Sequence, residues 1–199
     1  MPVSEPIQIT RGTDFCTRKP PGSVSREVRG VVLHHTGGMQ PVRCHSEGSW
    51  HFLIDRDGTL YNDVNIHDVA WHIANTDRWK PNWVERTCSW FGGSAVNTCT
   101  IGIEIVSSGG STPITDEQIA TLKYVAEELK AQFGELWWIG HGQAQKDRRI
   151  TEPDNLPWDE LMHEFDPSNG RRWKYEEDIK MSDAEKKLIE AVRELGFID

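Results

Sequence analysis

His34, Glu104 and His141 each pair a side chain that can do chemistry with a setting that could hold it still. His34 follows the β-branched run Val31-Val32-Leu33, and Glu104 lies inside Ile101-Gly102-Ile103-Glu104-Ile105-Val106. His141 follows Leu136-Trp137-Trp138-Ile139-Gly140. A lone histidine after a strand is ordinarily a hydrogen-bonded structural residue. Two of them after apolar strands, with a strand carboxylate between them in sequence, point instead towards a catalytic zinc. Neutral imidazoles are common zinc ligands, and such a zinc keeps three protein ligands plus a water. A carboxylate near that water, but not on the metal, can take its proton.

The elements that must position these residues are readable from pattern. Val31-Val32-Leu33 reads as a short buried strand. His51-Phe52-Leu53-Ile54 and Thr59-Leu60-Tyr61 read as a hairpin, because Asp57-Gly58 supplies the positive φ of a tight turn. In 101–106 the alternation puts Ile101, Ile103 and Ile105 on one face and Gly102, Glu104 and Val106 on the other. A helix then begins at Thr115, which with Gln118 makes a capping box, and Ile114 can staple onto Ile119. Ile119, Leu122, Val125, Ala126, Leu129 and Phe133 form its apolar face, and Gly134 suits its end. Leu136-Trp137-Trp138-Ile139 is a further strand. Helices are expected over 41–49 and from Trp158 to Phe165, with a turn-rich break at Asp166-Pro167-Ser168-Asn169-Gly170. Ser182 and Glu185 open an amphipathic tail helix that carries Leu188, Ile189, Val192 and Leu195. The segment 76–96, with Trp79, Trp83 and Trp90, has no clean period and reads as a long, functional loop. The expectation is one α/β domain, a central mixed β-sheet flanked by helices, over 28–166. An extended lead-in (1–27) precedes it and a tail (167–199) follows.

Composition narrows the function. With 199 residues the chain is long enough for one domain with a real core. Its net charge of −9 offers no basic stripe for phosphates, so nucleic acid is not an expected partner. The clusters at 146–149 and 171–174 read as solvated surface. No run of about eighteen apolar residues is present, so no membrane insertion is expected. The start of the chain lacks a basic and then apolar leader, and does not read as a secretory signal. Without one, a disulfide framework is not expected, and Cys44 and Cys99 read as small buried hydrophobes.

Several motifs occur in a fixed order: Val32-Leu33-His34-His35-Thr36; Ser49-Trp50-His51-Phe52-Leu53-Ile54-Asp55-Arg56-Asp57-Gly58-Thr59-Leu60-Tyr61; Ala70-Trp71-His72; Ile101-Gly102-Ile103-Glu104-Ile105; and Gly140-His141. Together they resemble the zinc-dependent N-acetylmuramoyl-L-alanine amidases related to phage endolysins and peptidoglycan recognition proteins, over roughly 28–165. The resemblance implies that the chain cleaves the amide between N-acetylmuramic acid and L-alanine in peptidoglycan or muropeptides. It makes His34 and His141 zinc ligands and Glu104 the base that activates water. Other branches use a tyrosine where this chain has Trp50, which has no hydroxyl. The third ligand departs from the family pattern. An ungapped match places Arg149 at the lysine that stabilises the oxyanion and Thr151 at the metal. A one-residue insertion places Glu152 there, before Pro153, and Asp154 is a further candidate. Glu152 is preferred, because a carboxylate is an accepted zinc donor.

Trp71, His72 and His35 are candidates for contacting substrate. Trp71 equally suits the core, and His35 equally suits a role behind a ligand. A non-catalytic peptidoglycan-binding module of the same fold is the competing reading, since some relatives have lost a ligand. A wall-cutting domain without a leader fits an endolysin released through membrane holes, a cytoplasmic recycling enzyme, or a toxin exported by another route.

Overall fold

The computed structural model describes residues 9–10, 27–42, 48–73, 95–110, 112–144, 151–166 and 170–175. Its centre is a mixed eight-stranded sheet in the order β1-β4-β3-β5-β2-β6-β8-β7. The strands are β1 (Ile9–Thr10), β2 (Gly30–His35), β3 (Phe52–Ile54), β4 (Leu60–Asn62), β5 (Thr100–Ile105), β6 (Trp137–Gly140), β7 (Met162–Asp166) and β8 (Gly170–Trp173). The middle, β3-β5-β2-β6, is parallel throughout. Strands of this kind are covered on both faces and read as near-continuous apolar runs, as 30–33 does. The outer strands β4, β8 and β7 pair antiparallel with their inner neighbours. This is the expected architecture of a central mixed sheet with helices packed on it.

Four helices accompany the sheet among the described residues: α1 (Ala95–Cys99), α2 (Asp116–Phe133), α3 (His141–Ala144) and α4 (Trp158–Leu161). The long helix α2 begins as the sequence dictates. Gln118 N donates to Thr115 Oγ1 at 3.1 Å, and Thr115 N donates back to Gln118 Oε1 at 3.1 Å. Gln118 is itself buried, and its Nε2 donates to the Val106 carbonyl at 2.9 Å, which ties the helix to the end of β5. Leu122, Val125, Ala126 and Leu129 pack with Val31, Leu33, Ile101, Ile103 and Ile105 in the main core. The β3–β4 turn closes with Gly58 at φ +82°, seated against Glu117 and Thr121 of α2. Thr121 Oγ1 donates to the Gly58 carbonyl at 2.6 Å.

Three expectations need correction. The helix read from Trp158 to Phe165 stops at Leu161. Residues 162–166 are strand β7, drawn into extended form by pairing with β8. Only Met162 of β7 is buried, so the strand carries no alternation that a sequence reading could find. The sheet also outgrows the limits set for the domain, since β1 comes from the lead-in and β8 from the expected tail. Finally, Cys99 is not a free buried thiol but half of a disulfide. The helix expected over 41–49 falls largely outside the described residues. The tryptophan-bearing loop does so except at its end, where Ala95 and Val96 open α1, and the tail helix does so entirely.

Candidate metal centre

The two faces of the sheet differ because parallel partners in register share a face. In the β2–β5 pairing Val31 stands beside Ile101 and Leu33 beside Ile103, on the α2 side. Val32 beside Gly102 and His34 beside Glu104 lie on the opposite face. There Val32 packs with Ile73, Val96, Cys99, Ile139 and Ala144, so His34 rises from an apolar floor. His141 opens α3 directly beyond β6, and both histidines are buried.

Glu152 reaches them from the loop before α4. That loop can lie against the end of β6 because Gly140 has no side chain. A Cβ there would stand 2.6 Å from the Glu152 carbonyl oxygen and 2.9 Å from Pro153 Cδ. Gly142 N donates to the same carbonyl at 2.9 Å. Two further hydrogen bonds pin the loop, from Gly110 N to Asp154 Oδ1 at 2.7 Å and from Asn155 Nδ2 to Ser107 Oγ at 2.6 Å. Thr151 is exposed, and Asp154 is committed to Gly110; neither joins the cluster.

Three donor atoms therefore converge. His34 Nδ1 lies 2.8 Å from His141 Nδ1, His141 Nδ1 lies 3.1 Å from Glu152 Oε1, and His34 Nδ1 lies 3.6 Å from that oxygen. Burial pushes the Glu152 carboxyl up. Its close contacts with the His141 and His34 rings, and the positive charge those rings can carry, outweigh burial and hold the group well below the usual carboxylate range. The set of two imidazoles and one carboxylate is a known catalytic metal set. Around a tetrahedral ion with bonds of about 2.0–2.1 Å, neighbouring donors stand roughly 3.3 Å apart. The observed separations straddle that value, so these residues fit a metal ion.

The surroundings sort the remaining candidates. Glu104 shares the face of His34, one strand away and half-buried, and lies outside the three-residue donor group. Trp50, at the position of the alternative tyrosine, is buried, and its Nε1 donates to Asp63 Oδ2 at 3.2 Å. Trp71 is 44% exposed, which removes the core reading. His72 is buried instead of facing an open groove; its Nδ1 lies 3.1 Å from His34 Nε2 and its Nε2 lies 3.2 Å from Thr100 Oγ1. Its ring occupies the space over Gly102, where a Cβ would come within 2.4 Å of it. His35 turns to the other face of β2, and its Nδ1 accepts from Gly37 N at 3.1 Å. Arg149 lies outside the described residues. Sequence reasoning missed the contact between His72 and His34; the small Gly102 within an isoleucine-rich strand was the available signal.

The fold is thus an α/β sheet with a buried His-His-Glu donor set, able to hold a metal ion, at one end of its central strands. The chain belongs to the N-acetylmuramoyl-L-alanine amidase family (Amidase_2), whose model matches residues 24–155. No curated protein matches the sequence. Among solved structures the fold is similar to the N-acetylmuramoyl-L-alanine amidase LysC from Clostridium intestinale URNW, at 19% identity and TM-score 0.57. That match covers 77% of this chain and 93% of the other. It is also similar to the amidase AmiD from E. coli, solved with anhydro-N-acetylmuramic acid-L-Ala-D-gamma-Glu-L-Lys, at 17% identity and TM-score 0.53. There the match covers 72% of this chain and 60% of the other. The Drosophila peptidoglycan recognition protein SD is similar at 16% identity and TM-score 0.50, over 76% of this chain and 91% of that one. No helix among the described residues is long and apolar enough to cross a membrane.

Proposed function

We propose that this protein is a zinc-dependent peptidoglycan amidase that hydrolyses the bond between N-acetylmuramic acid and L-alanine. The observation that carries the proposal is the convergence of His34 Nδ1, His141 Nδ1 and Glu152 Oε1 in a chain of this family. When bound there, zinc supplies Lewis acidity for the scissile carbonyl and lowers the pKa of a coordinated water. The two imidazoles and the ionised Glu152 hold the ion, while the apolar floor of Val32, Ile139 and Ala144 keeps bulk water from beneath it. Glu104, projecting on the same face as His34, accepts the proton of the attacking water and passes it to the leaving L-alanine nitrogen. Arg149 is assigned to the oxyanion from the family resemblance. An arginine supplies fixed charge but is a poor proton donor. Trp71, the residue before His72, offers an exposed aromatic face for a sugar or an apolar part of the peptide stem.

Glu152 also bears on the competing reading, a non-catalytic peptidoglycan-binding module. That reading rests on a lost ligand, and the donor group is complete with Glu152 in it. The deciding experiment incubates protein purified without chelator with intact sacculi and, separately, with soluble muropeptides. Release of peptides with a free L-alanine amine, abolished by chelator and restored by zinc, is the expected result. Binding to sacculi without release in either substrate would establish the binding module instead. Preference for sacculi would favour an endolysin-like role, and preference for muropeptides a recycling role.

A further inference from the structure

We infer that His72 and Thr100 form a relay that fixes the proton of His34 on Nε2, so that its Nδ1 presents a lone pair to the metal position. The relay can be followed from its far end. The Thr100 hydroxyl donates its only proton to the Val96 carbonyl of α1. Its oxygen also lies 3.2 Å from His72 Nε2, so in that contact the hydroxyl accepts and His72 Nε2–H donates. A neutral imidazole with its proton on Nε2 has a lone pair on Nδ1. His72 Nδ1 lies 3.1 Å from His34 Nε2, so His34 must be the donor there. His34 Nδ1 is then left as the acceptor atom, and it is this atom that faces His141 and Glu152.

The fold supports the relay at each step. Thr100 is fully buried at the start of β5, on the same face as Gly102 and Glu104. Gly102 leaves the space that the His72 ring fills, and any side chain there would push the ring away from His34. The His34 and His72 ring planes stand at 86°, and their centroids are 5.3 Å apart while the facing nitrogens are 3.1 Å apart, so a ring nitrogen of each points at the other. His72 is thus a positioning residue acting through His34, and Thr100 acts through His72. Partners of this kind, which set the tautomer of a metal-binding histidine, typically matter by about 10–100-fold in metal affinity.

This inference rests on the metal reading, and its test separates the two. Zinc affinity is measured by competition with a chromophoric chelator for wild type, T100V and T100S, and the metal-free melting temperature is followed in parallel. T100V keeps the shape but removes the hydroxyl. The Nδ1–H form of His72 then becomes favourable and drives the His34 proton onto Nδ1. T100V is expected to bind zinc about 10–100-fold more weakly, while T100S stays close to wild type. As a second pair, H72N keeps an acceptor near the position of Nδ1 and should bind zinc about tenfold more tightly than H72L, which keeps none. Nitrogen-15 spectra of the histidine rings in metal-free wild type should show Nε2–H on both His34 and His72. Equal zinc affinity for T100V and wild type, or a proton on His72 Nδ1, would overturn the relay. If wild type bound no zinc at all, the metal reading would fall. The ring-nitrogen pattern would then still decide the relay.

Discussion

The two faces of strands β2 and β5 are built from alternate residues of the same short segments, yet they have opposite tasks. Val31, Leu33, Ile101, Ile103 and Ile105 are fully buried against α2 and form a continuous apolar layer. The residues between them are a mixture of Val32, His34, Thr100, Gly102 and Glu104. The first face needs volume and shape, and its tolerance for change is set by packing. The second needs particular atoms at particular places, and it sacrifices packing to get them: Gly102 contributes no side chain so that a histidine ring can lie over it. Stability and chemistry are thus separated by a period of two residues, not by distance along the chain.

Substitutions on the two faces should therefore fail in different ways. The largest effect is expected from H34A or H141A, either of which should reduce bound zinc from about one per chain to none and abolish turnover. Metal analysis beside a muropeptide assay checks this, and a variant that kept both would remove the residue from the site. Next comes E104Q, which nearly preserves shape. It should retain zinc and lower kcat by roughly 10²–10⁴-fold, the usual worth of general acid–base catalysis. Unchanged turnover would take the base role from Glu104, and loss of zinc would make it a ligand. On the opposite face, I103A should cost about 2–5 kcal/mol of folding stability in a urea titration. What survives folded should bind zinc as wild type does. A loss of zinc affinity in folded I103A would blur the separation of the two faces. The smallest effect is expected from G102A. Overpacking should cost about 1–3 kcal/mol, together with weaker zinc binding as the His72 ring is displaced. Loss of stability without loss of zinc affinity would show that the ring can move without consequence for His34.

Acidification offers a further measurement. The Glu152 carboxyl is held below its usual range in the folded protein, so its contribution to stability is complete above the unfolded value. That contribution is lost as pH falls towards the folded one. Metal-free wild type should thus lose stability on acidification more steeply than metal-free E152Q. Parallel pH profiles would show that the carboxylate is not coupled to the two histidines.

Much of this arrangement was legible in sequence, for local reasons. The capping box of Thr115 and Gln118 and the Asp57-Gly58 turn are written in adjacent residues. The faces of 101–106 follow from alternation alone. What could not be read depends on contacts between distant segments. Strands β7 and β8, the last two of the sheet, carry Glu164, Arg171 and Arg172, and their extended form comes from pairing with each other and with β6. The disulfide of Cys99 and the burial of His72 against His34 are likewise products of the fold. Donor chemistry alone prefers Glu152, but the reason it faces inward lies in the fold. An ungapped match to the family pattern favours Thr151, and it is the seating of the 152–153 backbone on Gly140 that turns Glu152, and not its neighbour, inward.

The position of β2 at the middle of the parallel sheet bears on how the chain reaches this state. β2 is the earliest of the central strands in sequence, but its partners begin at Thr100 and Trp137. His34 and His141 are 107 positions apart. The central strand therefore has no hydrogen-bonding neighbour until Thr100, about halfway along the chain, has been synthesised, and long loops must close before any of its pairings is rewarded. Such topology folds slowly, and an early apolar strand with open edges is exposed to wrong partners in the interval. The hairpin of β3 and β4, with its local Asp-Gly turn, and the self-capped α2 are the segments able to form first. On this view the metal site is among the last features of the molecule to exist, since it requires the closure that joins β2 to β6.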